Sequence, residues 1–300
     1  MIRKRAGLAV LAGVVLSTNL FNTSCSRKAT DDSHLLFVVS VEPQRYILEK
    51  IVGDKAEIIT LMPAGNNPEI FEPTVSAQKA INDSRLYFPT GFFPYENALL
   101  PAITGDTRVV NTSEGIDLIF GTHSHASSHE TFLHKEDLDT LGADPHIWAS
   151  VRNARTIART MYEAVVEADS ANTDFYRERY QAYDAHLDSL DRAFAARLAS
   201  APVKSFMVWH PSLSYFARDY GLEQISVGAH SKESTLKDMR RVIDEARADS
   251  VRVFFAQKEF DNRQAQAICS GVGARTAEYS PSAYQWEESL DKVVDELTRP

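Results

Sequence analysis

Two short turns carry the side chains best suited to chemistry. "NNPEIFEP" (66–73) presents Glu69, and "ADPHIW" (143–148) presents His146; each sits directly after a proline and before apolar residues. A third, His210, directly follows the apolar run "KSFMVW" (204–209). Imidazole nitrogen and carboxylate oxygen together suit a borderline divalent cation such as zinc, whose four-coordinate shell is often completed by water. Each residue also has a plainer reading: a packed histidine, a turn residue and a solvated loop acid. Their common location argues for the set more than for any member. "GTHSHASSHETFLHKED" (121–137) is a separate signal, with His123, His125, His129 and His134 in a segment of little hydrophobicity and no period. By composition it is a mobile loop, either merely solvated or collecting metal without defined geometry. His34, His186 and His230 stand apart and read as structural or surface residues.

The elements that must position these residues alternate. Strand-like "LLFVVS" (35–40), "AEIITLM" (56–62) and "RLYFPT" (85–90) are separated by helical "QRYILEKIVGD" and "SAQKAIND". The second half repeats the alternation with "KSFMVW", "EQISVG", "VRVFFA" (251–256) and "ARTAEY", and with helices near 234–247 and 261–270. This predicts two α/β lobes with parallel-type sheets covered on both faces. Residues 172–200 contain neither Pro nor Gly, and Tyr176, Tyr180, Tyr183, Leu187, Leu190, Phe194 and Leu198 recur at spacings of four and three. They predict one long amphipathic helix, on the order of 40 Å, with the tyrosines as its packing face. A single helix of that length joining two lobes implies a rigid connection.

In open parallel sheets, ligands bind beyond the carboxyl ends of the strands. His210, Gln257 and Ser280 each follow a predicted strand, and Glu69 lies a few residues past one. His146 arrives on the loop before a helix beginning near Val151. Glu69 and His146 from one lobe and His210 from the other are therefore expected to meet in the interlobe cleft. Trp148 and Trp209 flank the two histidines, where site shielding and core packing explain them equally well.

The first residues lie outside this globule. Basic Arg3-Lys4-Arg5 precedes apolar "AGLAVLAGVVL" (6–16), too short to span a bilayer and read as an export signal over 1–24. Cys25 ends "FNTSC", a relaxed lipobox, and is expected to become the lipidated N-terminus ahead of a tether over 25–33. Only Cys269 then remains, leaving no intramolecular disulfide. The lobes are expected over 34–171 and 201–300. The formal charge is −9, and removing 1–24 takes away three basic and no acidic residues, leaving −12. An acidic chain without a basic stripe is a poor candidate for nucleic acid.

From "VVSVEPQRYILEKIVGD" to "WEESLDKVVDEL" the chain resembles the metal-binding lipoproteins of zinc and manganese ABC importers, the ZnuA/TroA-like group of cluster A-I solute-binding proteins. "MPAGNNPEIFEPTVSAQKAINDSRLYF" is similar to the family's first ligand segment, DPHxYEP. "GADPHIWASVRNA" is similar to its second and "WHPSLSYFARDYGL" to its third. The histidine-rich loop before "DPHIW" is placed as in zinc-specific members. The resemblance implies two α/β lobes on a rigid backbone helix, with a metal between them held by His146 and His210. Where the family has its first histidine this chain has Glu69, and where it often has an aspartate this chain has Ser280-Pro281.

A His-His-Glu site is chemically reasonable for zinc, with Ser280, water or a loop histidine at the fourth position. Loss of the hard aspartate oxygen disfavours manganese. Because neutral imidazoles must bind, affinity should fall below about pH 6.5. The expected function is that of an extracytoplasmic, membrane-anchored, monomeric solute-binding protein delivering a divalent metal to an ABC permease, on the periplasmic or cell-surface side. One alternative keeps the fold but gives it a degenerate site for manganese, a metal chelate or a chaperone role. The other is a zinc hydrolase, against which the sequence has no HExxH.

Overall fold

Short apolar strands carry the architecture, because only a buried parallel sheet accepts runs such as "LLFVV" and "SFMV". In the computed structural model residues 35–68, 70–120, 142–227, 236–257 and 265–300 are described. The first sheet comprises β1 (Leu35–Val39), β2 (Ala56–Thr60), β3 (Leu86–Phe88) and β4 (Arg108–Val109), in the order β2-β1-β3-β4 and all parallel. The second comprises β5 (Ser205–Val208), β6 (Glu223–Ser226), β7 (Val253–Gln257) and β8 (Arg275–Tyr279), in the same relative order, β6-β5-β7-β8, and again all parallel. Strand order reverses between β1 and β3 and between β5 and β7. Each sheet therefore opens a crevice at the carboxyl ends of its central strands.

Helices α1 (Glu42–Val52), α2 (Val75–Asp83) and α3 (Pro94–Leu99) belong to the first lobe with α4 (Val151–Ala168). α4 begins where Ser150 Oγ accepts from the Asn153 amide at 3.0 Å, the side-chain cap that an N-terminal serine provides. The second lobe holds α6 (Ser214–Tyr220), α7 (Leu236–Ala248), α8 (Ala265–Val272) and α9 (Trp286–Thr298). Gly221, at φ +63°, closes α6 in the left-handed conformation, and the Leu222 amide bonds back to the Ala217 carbonyl at 2.9 Å.

The long helix is α5 (Thr173–Ala199), 27 residues without a break. Tyr176, Tyr183, Leu187, Phe194 and Leu198 are buried on one stripe, with Tyr180 and Leu190 half-buried beside them. The tyrosines do more than pack. Tyr176 donates to Asp169 at 2.6 Å and Tyr183 to Glu287 of α9 at 2.9 Å, so the helix is polar-bonded near its start and toward its middle. Arg155 of α4 makes a two-pronged bond to Asp184 of α5 (2.7 and 2.8 Å) and a third to Asp188 (3.1 Å). The Arg155 guanidinium beside Asp184 holds that carboxyl below the usual carboxylate range.

A depressed carboxyl contributes stability above its unfolded pKa and loses it as pH falls through the folded value. Arg155→Met is expected to lower the melting temperature by about 2–4 °C at neutral pH, roughly 1 kcal/mol for a half-exposed bidentate pair. That penalty should begin to shrink as pH falls below about 4, where the unpaired carboxyl protonates, and should vanish only once pH has passed the lower folded value that Arg155 gives Asp184. Differential scanning calorimetry across pH measures it, and a pH-independent penalty would show that lost packing dominates.

Packing joins the lobes more closely than two separate cores would. One continuous apolar cluster runs from Phe37 and Ile47 through Leu187 and Phe194 to Phe255 and Val294, and residues from His34 onward form a single compact unit. A smaller cluster around Met207, Trp209 and Ile225 fills the other face of the second sheet. Cys269 is buried there as a free thiol.

Candidate metal centre

Strand alternation aims the second-lobe histidine. Phe206 and Val208 of β5 enter the main cluster, while Met207 and Trp209 enter the smaller one, as period-two geometry requires. Trp209 is thus core packing on the far face of the sheet. His210, one residue further, emerges at the β5–β7 switch point. Its backbone is clamped by Gln257, the last residue of β7. The His210 amide donates to Gln257 Oε1 at 2.7 Å, and Gln257 Nε2 donates to the His210 carbonyl at 2.9 Å and to Ser212 Oγ at 2.5 Å.

The first-lobe histidine comes from the loop leading into α4. The His146 amide donates to Asp144 Oδ1 at 2.9 Å, and ring Nδ1 lies 2.9 Å from the same oxygen. A carboxylate acceptor at Nδ1 makes that nitrogen the donor and leaves the lone pair on Nε2, which is how a ligating imidazole is oriented. Nε2 is buried and has no hydrogen-bond partner among the described residues. Burial alone would raise the Asp144 carboxyl, but the bonds from the His146 ring and backbone outweigh it and hold Asp144 below its ordinary value.

The two rings meet. His146 and His210 are 1% and 2% exposed, and their centroids lie 5.2 Å apart at 66°. Two imidazoles on one tetrahedral ion, bound through nitrogen at about 2.0–2.1 Å, have centroids on the order of 5 Å apart. Among the described residues no group of three or more His, Cys, Asp and Glu converges on one point; the pair is what they supply.

Interlobe bonds fix the loop that bears His146. Tyr215 OH donates to the Asp144 carbonyl at 2.8 Å, Trp148 Nε1 to the Pro281 carbonyl at 2.7 Å, and Ser150 Oγ to the Asp219 carboxylate. Trp148 packs edge-on to the His146 ring at 5.5 Å and leans on Phe93 at 6.2 Å. Phe93 stacks on Tyr95, and Tyr95 meets Phe71 of "NNPEIFEP" at 5.2 Å.

Residues 37–297 match the family described as zinc-uptake complex component A, periplasmic. The chain belongs to this ZnuA family. ZnuA of Bacillus subtilis strain 168, a high-affinity zinc uptake system protein, is 26% identical over 285 residues, covering 92% of this chain and 88% of its own. A crystal structure of ZnuA aligns with a TM-score of 0.78 at 27% identity, covering 88% of this chain and 98% of that one. A zinc-bound deletion mutant of ZnuA aligns equally, at 28% identity and 88% and 97% coverage. The paired parallel sheets and the long helix are shared with these neighbours, and the family places the chain outside the cytoplasm as a metal-binding component of an importer.

For this ZnuA-family chain, the expected site residues divide sharply. His146 and His210 come together. Ser280 follows β8 directly, and its carbonyl accepts from Ser289 Oγ at 3.0 Å. Glu69, His123, His125, His129, His134 and Cys25 lie outside the described residues, as do His34 and His230. His186 pairs with Glu287 at 2.8 Å on the long helix, far along the chain from either turn. Sequence reasoning missed the work of Asp144 and Gln257. A carboxylate two residues before a histidine, across a proline turn, is a readable sign of the first; the clamp by Gln257 depends on strand adjacency and has no local signal.

Proposed function

We propose that this chain is a solute-binding protein that captures zinc between its two lobes and delivers it to an ABC permease, without chemistry on a substrate. The approach of the buried His146 and His210 rings, one from each lobe, carries this reading. Glu69 supplies the third ligand, and Ser280 or water the fourth. The four loop histidines, His123, His125, His129 and His134, raise the local metal concentration. Cys25 carries the lipid that tethers a monomer to the membrane; the described residues contain no helix long and apolar enough to cross one. Zinc is favoured over manganese because both described donors are imidazoles, which suit borderline metals better than hard ones. The zinc relatives support the same choice.

Calorimetric titration of the metal-stripped protein with zinc and with manganese tests the assignment. One tight zinc ion per chain and much weaker manganese are expected. Glu69→Ala should weaken zinc by about 10-fold or more, the usual scale for disturbing a metal site. Wild type that binds neither ion overturns the function; an unchanged Glu69→Ala removes Glu69 alone from the ligand set.

A further inference from the structure

The short helix α6 begins four residues after His210, and one of its faces grips the first lobe. Tyr215, Arg218 and Asp219 stand at positions i, i+3 and i+4, which a helix brings to the same side. Tyr215 is fully buried; its hydroxyl donates to the Asp144 carbonyl at 2.8 Å and accepts from the Ile119 amide at 3.4 Å. It thus bridges two first-lobe segments that are themselves joined, the Asp144 amide donating to the Ile119 carbonyl at 2.8 Å. One turn on, Arg218 lies over the Tyr215 ring at 5.2 Å and donates to the Asp117 carbonyl at 2.7 Å. Asp219 accepts from Ser150 Oγ at the start of α4. An adjoining face fastens α6 to the long helix. Phe216 and Tyr220 meet Phe194 at 6.5 and 6.3 Å, and Tyr220 OH donates to Asp191 at 2.9 Å.

These contacts tie the two histidines together mechanically. The His210 backbone is clamped to β7 by Gln257 and runs straight into α6, while His146 is held by Asp144, whose carbonyl is the one Tyr215 grips. The two rings, 5.2 Å apart, therefore cannot part by opening of the lobes unless the bonds from α6 to the first lobe break with them. We propose, resting on zinc capture by His146 and His210, that α6 is a latch that sets how long the metal stays bound, with Tyr215 as its positioning residue. Zinc leaves only when the Tyr215–Asp144 bond opens, whereas it enters lobes in which that bond has not yet formed. The latch accordingly acts on release and not on association, the usual division of affinity changes between the two rates.

Stopped-flow release of zinc from the full chain into excess chelator tests this. Tyr215→Phe removes the hydroxyl alone and should speed release about 5- to 10-fold, the factor carried by one lost buried hydrogen bond, with association unchanged within about twofold. Arg218→Gln, which loses the bond to Asp117, should speed release as well. Tyr176→Phe loses a phenol bond to Asp169 outside the latch and should release zinc like wild type. Hydrogen exchange of the metal-free proteins gives a readout that needs no zinc: amides over 142–150 should exchange faster in Tyr215→Phe than in wild type or Tyr176→Phe. An unchanged release rate in Tyr215→Phe, or an equal rise in Tyr176→Phe, overturns the latch. A wild type that binds no zinc overturns the capture reading instead. The exchange arm then decides α6 by itself, and unchanged exchange over 142–150 in Tyr215→Phe overturns it as a clasp between the lobes.

Discussion

Replacing His210 with alanine is expected to lower zinc affinity by more than about 100-fold while leaving the fold intact. Disturbing groups that merely support a metal ligand costs on the order of 10–100-fold, so removing the ligand itself should exceed that range. The backbone at this position is held through its own amide and carbonyl by Gln257. The alanine variant therefore keeps this backbone clamp and loses the imidazole donor. His146→Ala should behave alike in affinity, because its ring stands 5.2 Å from that of His210 in an equally buried setting. His186→Ala is the matched control: its imidazole meets Glu287 on the surface of the long helix, and zinc affinity should not change. Competition against a chromophoric chelator resolves differences of this size. A His210→Ala protein that binds zinc like wild type would sink the assignment of both histidines.

The largest stability effect is expected at Glu96. This carboxylate is fully buried in α3, and it accepts from the Thr90 amide at 2.7 Å, Gly91 at 2.8 Å, Phe92 at 3.0 Å and Phe93 at 3.2 Å, and from the Thr90 hydroxyl. One side chain thus satisfies four consecutive backbone donors in the loop after β3. Gly91 sits at φ +93°, and a Cβ there would come within 2.7 Å of Asn111 Nδ2, so the loop conformation that these bonds hold requires glycine at this position. Glu96→Ala should cost about 3–5 kcal/mol, since each stranded buried donor carries its own desolvation penalty. The melting temperature should then fall by roughly 6–15 °C. Glu96→Gln preserves shape but turns one acceptor into a donor facing other donors, and should recover only part of the loss. Zinc affinity should weaken as well, though less than in His210→Ala, because Phe93 leans on Trp148, which in turn packs against His146. Unfolding by urea, followed by circular dichroism, measures the first effect. A change below about 1 kcal/mol would mean that water replaces the carboxylate.

Much of the strand-and-helix order was legible because each signal is local. "LLFVVS", "AEIITLM" and "KSFMVW" begin within a residue of β1, β2 and β5, since apolar β-rich runs bounded by turns have few other uses. The long helix was legible for the same reason: a stripe at spacings of four and three, with no helix breaker, admits little else. The two-residue β4 and the six-residue α3 passed unnoticed, being too short for any period to show.

The sequence by itself determined the type of protein and singled out its two candidate ligands. Two parallel α/β lobes, the helix between them, His210 directly after a strand and His146 on the loop before a helix all follow from patterns contained in single segments. Tertiary structure alone decided how those ligands are held. That Trp209 turns away while Trp148 touches His146, that Gln257 clamps the backbone of a residue 47 positions distant, and that Tyr215 and Pro281 pin the loop carrying His146 are consequences of sheet order and lobe contact. The same holds for the single core running through both lobes. Burial and pairing between segments far apart in the chain depend on register and crossing geometry, and no local run of residues encodes them.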